Sequence, residues 1–206
     1  MVDDVITAVK CGSTSRALNA SVNAFMEQKR LQLNVSKCGK IHIGNKSSRK
    51  ICPDHKVHKE IMKCSEQEKY LGDTVSNKCN SKETIKDRRV RGNAILSEMG
   101  AILRDIPLGK WRTQIGLTLR QAWFLNGSVF NSEVWSGFTD NDLDDLEVID
   151  HSIIWLITGA QAKVPVEMLY LETALLPVKS VISVGRLSYL HRILNRQEGE
   201  LIKQIY

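Results

Sequence analysis

A helical repeat is clearest in the run Asp142-Leu-Asp-Asp-Leu-Glu-Val-Ile-Asp-His-Ser-Ile-Ile-Trp-Leu-Ile157. Its apolar residues return every three or four positions, at Leu143, Leu146, Ile149 and Ile153, which is the spacing of one face of an α-helix. Acidic residues crowd the first turn, where the helix dipole favours them. The run therefore predicts an amphipathic helix that buries its apolar face.

The same period continues on both sides and predicts a helical C-terminal half. One helix is expected from about Ser81 to Ile106, closed by Pro107 and Gly109, and another from Trp111 to about Phe130. Further helices are expected at 167–174 and 178–194. The expected buried faces of the first two are formed by Ile85, Ile95, Leu96, Met99, Ile102, Leu103 and Ile106, and by Ile115, Leu119, Ala122 and Val129. The tryptophans Trp111, Trp123, Trp135 and Trp155 are also expected in the core.

The N-terminal part has a mixed pattern. Residues 1–10 predict a strand, and a helix is expected after Gly12 on the apolar positions Leu18, Val22, Phe25 and Met26. Segments 31–35 and 41–43 alternate and predict a short hairpin or two linked strands. Residues 45–65 are polar and basic and predict a loop. The fold class is thus predicted to be α+β, with a mixed part at 1–78 and a helical part at 79–206.

Charge is unevenly distributed along the chain. The net charge is +6, but Lys37 to Lys63 contain eight basic residues and two acidic ones. Such a concentration suits a polyanion, because neutralised phosphates release condensed counterions. A solvated, lysine-rich surface explains the same charges equally well.

The N-terminus lacks the basic start of a signal peptide, and no apolar run is long enough to span a bilayer. Five irregularly spaced cysteines argue against a disulfide framework and for reduced thiols. These features predict a soluble protein of the cytoplasm or nucleus. Cys52, His55, His58 and Cys64 are zinc-ligand residue types, but their spacing is not that of a common zinc finger, and a polar surface loop is the preferred interpretation.

Asp3-Asp4 is the first candidate for chemistry. Adjacent carboxylates at a tight hairpin can help to hold Mg²⁺ for two-metal phosphoryl transfer, which also needs a carboxylate from another strand. By itself an Asp-Asp pair is weak evidence, because most such pairs lie in solvated turns.

The order of segments is more specific. A hydrophobic-x-Asp-Asp start is followed by a strand, a helix, then Leu33-Asn34-x-x-Lys37-Cys38 and Tyr70-Leu71-Gly72. Downstream come Gln114-Ile-Gly-Leu, Asn126-Gly, Phe130-Asn-Ser-Glu-Val-Trp135, Gly159-Ala and Pro165-x-Glu-x-Leu-Tyr-Leu-Glu-Thr173. Over nearly its whole length the chain resembles the reverse transcriptases of non-LTR, LINE-type retrotransposons.

The resemblance implies an incomplete palm at 1–78 and a helical thumb and connector at 79–206. It implies RNA-directed DNA synthesis with Mg²⁺, an RNA template, a DNA primer and deoxynucleoside triphosphates. Asp3 and Asp4 would be catalytic metal ligands, Lys37 would act near the pyrophosphate leaving group, and Tyr70, Leu71 and Gly72 would form the primer grip. Further nucleic-acid contacts are expected from Lys46, Arg49, Lys50, Lys56, Arg88, Arg89 and Arg91. Some of these residues have a simpler interpretation. Lys37 can be one more lysine of a basic loop, and Tyr70 can be a core aromatic. Arg88, Arg89 and Arg91 can form a solvated helix face.

Two departures from the family pattern qualify the expected activity. Met1 stands where an aromatic residue is usual, and the fingers and the upstream palm strand, which carries another metal-binding aspartate, would have to precede Met1. The chain is therefore expected to be a fragment that does not polymerise DNA by itself. The alternatives are a catalytically dead nucleic-acid-binding remnant of a mobile element and a relic that no longer folds independently.

Overall fold

The computed structural model describes residues 12–31, 34, 38–43, 56–57, 60–70, 72–160 and 163–196. The chain divides into two compact units, here called the N-terminal unit (1–80) and the helical unit (81–206). The structure is mixed α+β and mostly helical, as predicted.

The N-terminal unit contains one helix and six short strands among its described residues. Helix α1 is Gly12–Gln28, where the sequence predicted it. The strands are β1 (Gly39–Ile41), β2 (Lys56–Val57), β3 (Glu60–Ile61), β4 (Lys63–Ser65), β5 (Gln67–Tyr70) and β6 (Asp73–Ser76). They pair two by two: β1 with β4 in parallel, and β2 with β3 and β5 with β6 antiparallel.

One prediction about these strands needs correction. The loop predicted at 45–65 contains β2, β3 and β4 in its second half, because inter-strand hydrogen bonds supply a pairing that residue polarity does not reveal. Strand β1, which overlaps the segment predicted at 41–43, pairs with β4 in parallel. The strand predicted at 1–10 and most of the segment 31–35 lie outside the described residues.

The helical unit is built from helices α2 to α7, one π-helix and one 3₁₀ turn. The helices are α2 (Lys82–Arg104), α3 (Lys110–Leu119), α4 (Asn126–Ser128), α5 (Asp140–Thr158), α6 (Val166–Thr173) and α7 (Val178–Leu194). A π-helix, Arg120–Leu125, joins α3 to α4, and a 3₁₀ turn spans Ser132–Val134. The helices predicted in this half are confirmed, with bounds within a few residues.

One core lies between α2, α5 and the helices that cover them. Its fully buried members include Met99 and Leu103 of α2, Phe124 of the π-helix, and Leu146 and Ile153 of α5. A smaller cluster joins Ile154 of α5 to Leu169 and Tyr170 of α6. The predicted apolar face of α5 is confirmed, because Leu143, Leu146, Ile149, Ile153 and Ile154 are all buried.

The predicted faces of the other two helices are only partly correct. Ile102 is 41% exposed at the edge of the α2 stripe, while its neighbour Leu103 is fully buried. In the second helix Ile115 lies at the surface, and the inward positions are Gly116, Arg120 and Phe124 instead. Of the predicted positions in this helix, Val129 is buried and Leu119 packs against the core, whereas Ile115 and Ala122 are exposed, because a glycine and an arginine take the interior positions between them.

The four tryptophans differ in how far they are buried. Trp135 is buried and Trp155 packs against the smaller cluster, but Trp111 is 75% exposed and Trp123 is 37% exposed. The prediction that all four belong to the core is therefore wrong for Trp111 and Trp123.

In the described part of the chain no single helix is long and apolar enough to cross a membrane. The pair α6 and α7, bent by 55°, passes that test only when the two are taken together.

Candidate nucleic-acid interface

The predicted catalytic residues lie outside the described part of the chain. This holds for Asp3, Asp4 and Lys37, for the basic residues Lys46, Arg49 and Lys50, for Leu71, and for the side chain of Lys56. Among the residues that are described, no group of three or more His, Cys, Asp or Glu side chains is placed to hold a metal ion. The metal site implied for Asp3 and Asp4 therefore rests on the sequence.

Two residues of the predicted primer grip, Tyr70 and Gly72, lie at the end of the β5–β6 hairpin. Tyr70 pairs with Asp73 as the last pair of the ladder. Gly72 has a φ of 85°, a conformation that costs glycine little and is the reason such short hairpin turns favour it. The Tyr70 side chain is half-buried. The sequence thus places a tyrosine directly before a tight turn, where part of its ring stays accessible.

Arg88 lies inside the helical unit. Its side chain is 5% exposed, its Nη1 donates a hydrogen bond of 2.9 Å to the Gly127 carbonyl, and its guanidinium lies 5.8 Å from the centre of the Phe130 ring. A guanidinium used in this way has little surface left for a phosphate. The predicted nucleic-acid contact is therefore corrected for Arg88, which links α2 to the segment after the π-helix.

Arg89 is exposed but pairs with an acidic side chain. Its Nη1 lies 2.6 Å from Asp145 of α5. Three more acidic residues of α5 are also paired: Asp142 with Lys82 at 3.1 Å, and Asp144 and Glu147 with Lys179 of α7 at 2.6 and 2.8 Å. Exposed pairs of this kind contribute about 0–1 kcal/mol each. A phosphate at Arg89 would have to compete with Asp145, whereas Arg91 is an exposed position on the same helix.

A buried ionic network holds the centre of the helical unit together. Arg120 of the π-helix donates to both carboxylate oxygens of Asp150 at 2.7 and 2.8 Å, and also to the Leu176 carbonyl at 2.9 Å. The Tyr170 hydroxyl donates to Asp150 at 2.8 Å. Burial, together with the neighbouring charge of Asp150, raises the pKa of Tyr170, so the hydroxyl remains a donor.

Sequence reasoning missed this network. Its only signal was indirect: Asp150 follows Ile149 on the apolar face of α5, and Arg120 is one of only two charged residues in the predicted helix 111–130. Charged residues at such positions are almost always paired when buried. The partner of each was not predictable, because Arg120, Asp150 and Tyr170 come from three different elements.

Several segments that carry the family resemblance are packing points of this unit. Gly116 of the Gln114-Ile-Gly-Leu segment lies against Ile157, where an added Cβ would be only 2.6 Å from the Ile157 Cγ1. Gly127 of Asn126-Gly accepts the Arg88 hydrogen bond, and Gly159 ends α5 in the left-handed conformation. Trp135 is buried, and Tyr170 bonds Asp150. The structure gives these segments roles in folding.

The cysteines differ from the expectation of reduced thiols. Cys38 and Cys79 are free, but Cys64 is disulfide-bonded. An odd, irregular set of cysteines argues against a framework of disulfides but does not exclude a single one. Zinc is bound by thiolates, so the oxidised Cys64 is not available as a ligand, and the zinc alternative loses one of its four residues.

No protein-family model matches this sequence, and neither a curated protein nor a solved structure matches it.

Proposed function

We propose that the chain is part of an RNA-directed DNA polymerase of a non-LTR retrotransposon, with palm residues at 1–78 and thumb and connector helices at 79–206. The observation that carries this proposal is the order of segments, from Asp3-Asp4 through Lys37 and Tyr70-Leu71-Gly72 to the Pro165–Thr173 segment. The parent activity is Mg²⁺-dependent synthesis of DNA on an RNA template from deoxynucleoside triphosphates.

Two structural features support the proposal. Tyr70 and Gly72 lie at the end of the β5–β6 hairpin, so the tyrosine proposed to contact the primer is half-buried beside a turn and partly accessible. The downstream resemblance segments converge in one helical unit with a continuous core, so their spacing along the chain has a common physical basis. A coherent unit favours both functional interpretations over that of a relic that no longer folds.

The charge distribution supports binding to a nucleic-acid backbone. The N-terminal unit contains 14 Lys and Arg against 8 Asp and Glu, whereas the helical unit has 15 of each. Within the helical unit, four acidic residues of α5 already pair with cations of α2 and α7, namely Asp142, Asp144, Asp145 and Glu147. We therefore assign most of the phosphate binding to the basic N-terminal unit.

The experiment is titration of a labelled RNA–DNA duplex with the full chain at several salt concentrations. Replacing Lys46, Arg49, Lys50 and Lys56 with Ser should weaken binding and flatten the log–log salt dependence, on the order of 0.9 per lost phosphate contact on B-form duplex. The matched control removes the same number of positive charges from the helical unit, at Lys82, Lys86, Lys163 and Lys179. An equal effect in both variants would mean that net charge alone governs binding, and no binding at low salt would refute the proposed function.

A second candidate is a nucleic-acid-binding remnant without catalysis, which the basic surface alone would support. Primer extension separates it from a polymerase. The chain is assayed alone and joined to any fingers and palm sequence found in frame upstream of Met1, with RNA template, DNA primer, Mg²⁺ and deoxynucleotides. Extension by the joined protein that is lost on Asp3→Asn or Asp4→Asn, with binding unchanged, supports the polymerase. Binding without extension in any form supports the remnant.

A further inference from the structure

Helix α3 and the π-helix that follows it have two unlike faces. Inward lie Gly116, Arg120 and Phe124, all buried. At the surface lie Trp111, 75% exposed, and Ile115 and Trp123, each 37% exposed. We call these three residues the outer face. It bears two indoles at the surface, although each could bury a large apolar area.

The N-terminal end of the outer face, at Trp111, is accessible to solvent. Trp111 is the second residue of α3, and Gly109, just before the helix, has nothing within 4 Å of the position that a Cβ would occupy. The two indoles are the largest exposed apolar side chains of these two helices, and exposed groups of that size are available to bind a partner. The shape therefore permits a flat group to approach Trp111 from solvent.

Charge and polar chemistry identify the class of partner. Residues 106–132 contain no Asp or Glu, and Lys110, an exposed residue, precedes Trp111 directly. The exposed neighbours Gln114 and Gln121 are uncharged amides that can donate and accept hydrogen bonds. Indoles interleaved with a lysine and amides, in a stretch of sequence without acidic residues, suit single-stranded nucleic acid, in which unpaired bases stack on aromatic side chains.

We propose that the outer face is a stacking platform for the bases of a single-stranded nucleic-acid segment, with Trp111 as its main contact and Trp123 as a second one. The inference rests on the proposed function, because it adds a base-contacting site in the helical unit to the phosphate-binding N-terminal unit. It assigns the two units different tasks: the basic unit binds the backbone, and the outer face binds bases.

The test is anisotropy of a labelled, single-stranded oligonucleotide of about 16 nucleotides, with RNA and DNA versions, titrated with the full chain. Trp111→Ala should weaken binding about tenfold, since stacking contributes on the order of 1–3 kcal/mol per base. Trp111→Phe should restore most of the affinity. Because stacking releases no counterions, the salt dependence should stay the same. The matched control is Leu187→Ala, which removes another exposed apolar side chain, 67% exposed on α7, and should not change binding.

The outcomes separate the two proposals. If the chain binds nucleic acid and Trp111→Ala binds as tightly as wild type, the stacking site is refuted and the proposed function stands. If wild type binds no nucleic acid, the proposed function fails, and the site with it. If Trp111→Ala instead converts a dimer to a monomer in gel filtration without affecting oligonucleotide affinity, the outer face is an interface between copies and the inference is overturned. Thermal melting followed by circular dichroism should give the same midpoint for wild type, Trp111→Ala and Trp111→Phe, because Trp111 is exposed.

Discussion

The two units of this protein differ in what stabilises their described residues. In the N-terminal unit the strands are two to four residues long and pair only two by two, and its described buried positions are the polar Thr74 and Ser76. The helical unit encloses a continuous apolar core and a buried ionic network. Among the described residues, apolar burial is concentrated in the helical unit, whereas the excess positive charge of the chain lies in the N-terminal unit. Buried side chains therefore stabilise the helical unit.

The comparison can be tested in one optical experiment. All four tryptophans lie in the helical unit, so tryptophan fluorescence during a urea titration reports on that unit alone. The substitutions below are ordered from the largest expected effect to the smallest.

Removing the centre of the ionic network should have the largest effect. Asp150→Ala leaves Arg120 buried without its carboxylate and the Tyr170 hydroxyl without its acceptor. Breaking a buried pair in this way costs about 3–5 kcal/mol, seen as a lower urea midpoint. Asp145→Ala removes only the exposed partner of Arg89 and should cost no more than about 1 kcal/mol. Similar midpoints for the two variants would show that the network does not stabilise the unit.

Truncating the core of α2 should come next. Leu103 is fully buried, and Leu103→Ala should lower the free energy of unfolding by about 2–5 kcal/mol, through lost apolar burial and the cavity that remains. Ile102→Ala, one residue away but 41% exposed, should cost clearly less, and the exposed Glu98→Ala well under about 1 kcal/mol. If Ile102→Ala proved the more damaging of the first two, the orientation of α2 would be wrong.

Adding a methyl group at a close contact should have a smaller effect. Gly116→Ala places a Cβ 2.6 Å from the Ile157 Cγ1, and relief of that overlap should cost about 1–3 kcal/mol. Gly185→Ala in α7 is the matched control, because nothing lies within 4 Å of its added Cβ. There the better helix propensity of alanine should stabilise by roughly 0.5–1 kcal/mol. The two alanines should therefore shift the midpoint in opposite directions, and a shift of the same sign would contradict the packing described.

The smallest effect is expected at the capping box of α5. The Thr139 backbone N–H, then its hydroxyl, and Lys82 hold the pKa of Asp142 below its ordinary 3.8. A carboxyl whose pKa is lowered on folding stabilises the protein above its unfolded pKa, and this contribution is lost as the pH falls through the folded pKa. Wild type should thus exceed Asp142→Asn in stability at pH 5–7, by a difference that shrinks as the pH falls below about 4. A difference that is independent of pH would show that the carboxylate charge is not involved.

Much of the helical unit was predictable because its signals are local. Helix α7 was predicted with the bounds 178–194 that it has, and α5 with its apolar face. These predictions succeed because helical spacing and capping depend on residues a few positions apart. The strands were predicted less well: β2 to β4 lie in an expected loop, because the partner of such short strands is set by distant residues.

Among the candidate site residues, Gly72 has the left-handed backbone that favours glycine in a tight turn, which is a local feature. The burial of Arg88 is not local, since its partners Gly127 and Phe130 lie on a later segment. The roles of Asp3, Asp4 and Lys37 remain predictions from the order of segments.

By itself the sequence determined the α+β class, the succession of helices after residue 81 and the basic character of the N-terminal unit. Only the tertiary structure decided that Arg88 and Arg120 point inward, that Asp150 joins Arg120 to Tyr170, and that Trp111 faces solvent. The physical reason is that a side chain's burial depends on which other elements cover its helix face. Which elements pack against that face is decided by contacts between residues tens of positions apart. The local periodicity of a helix does not depend on those contacts and therefore cannot predict them.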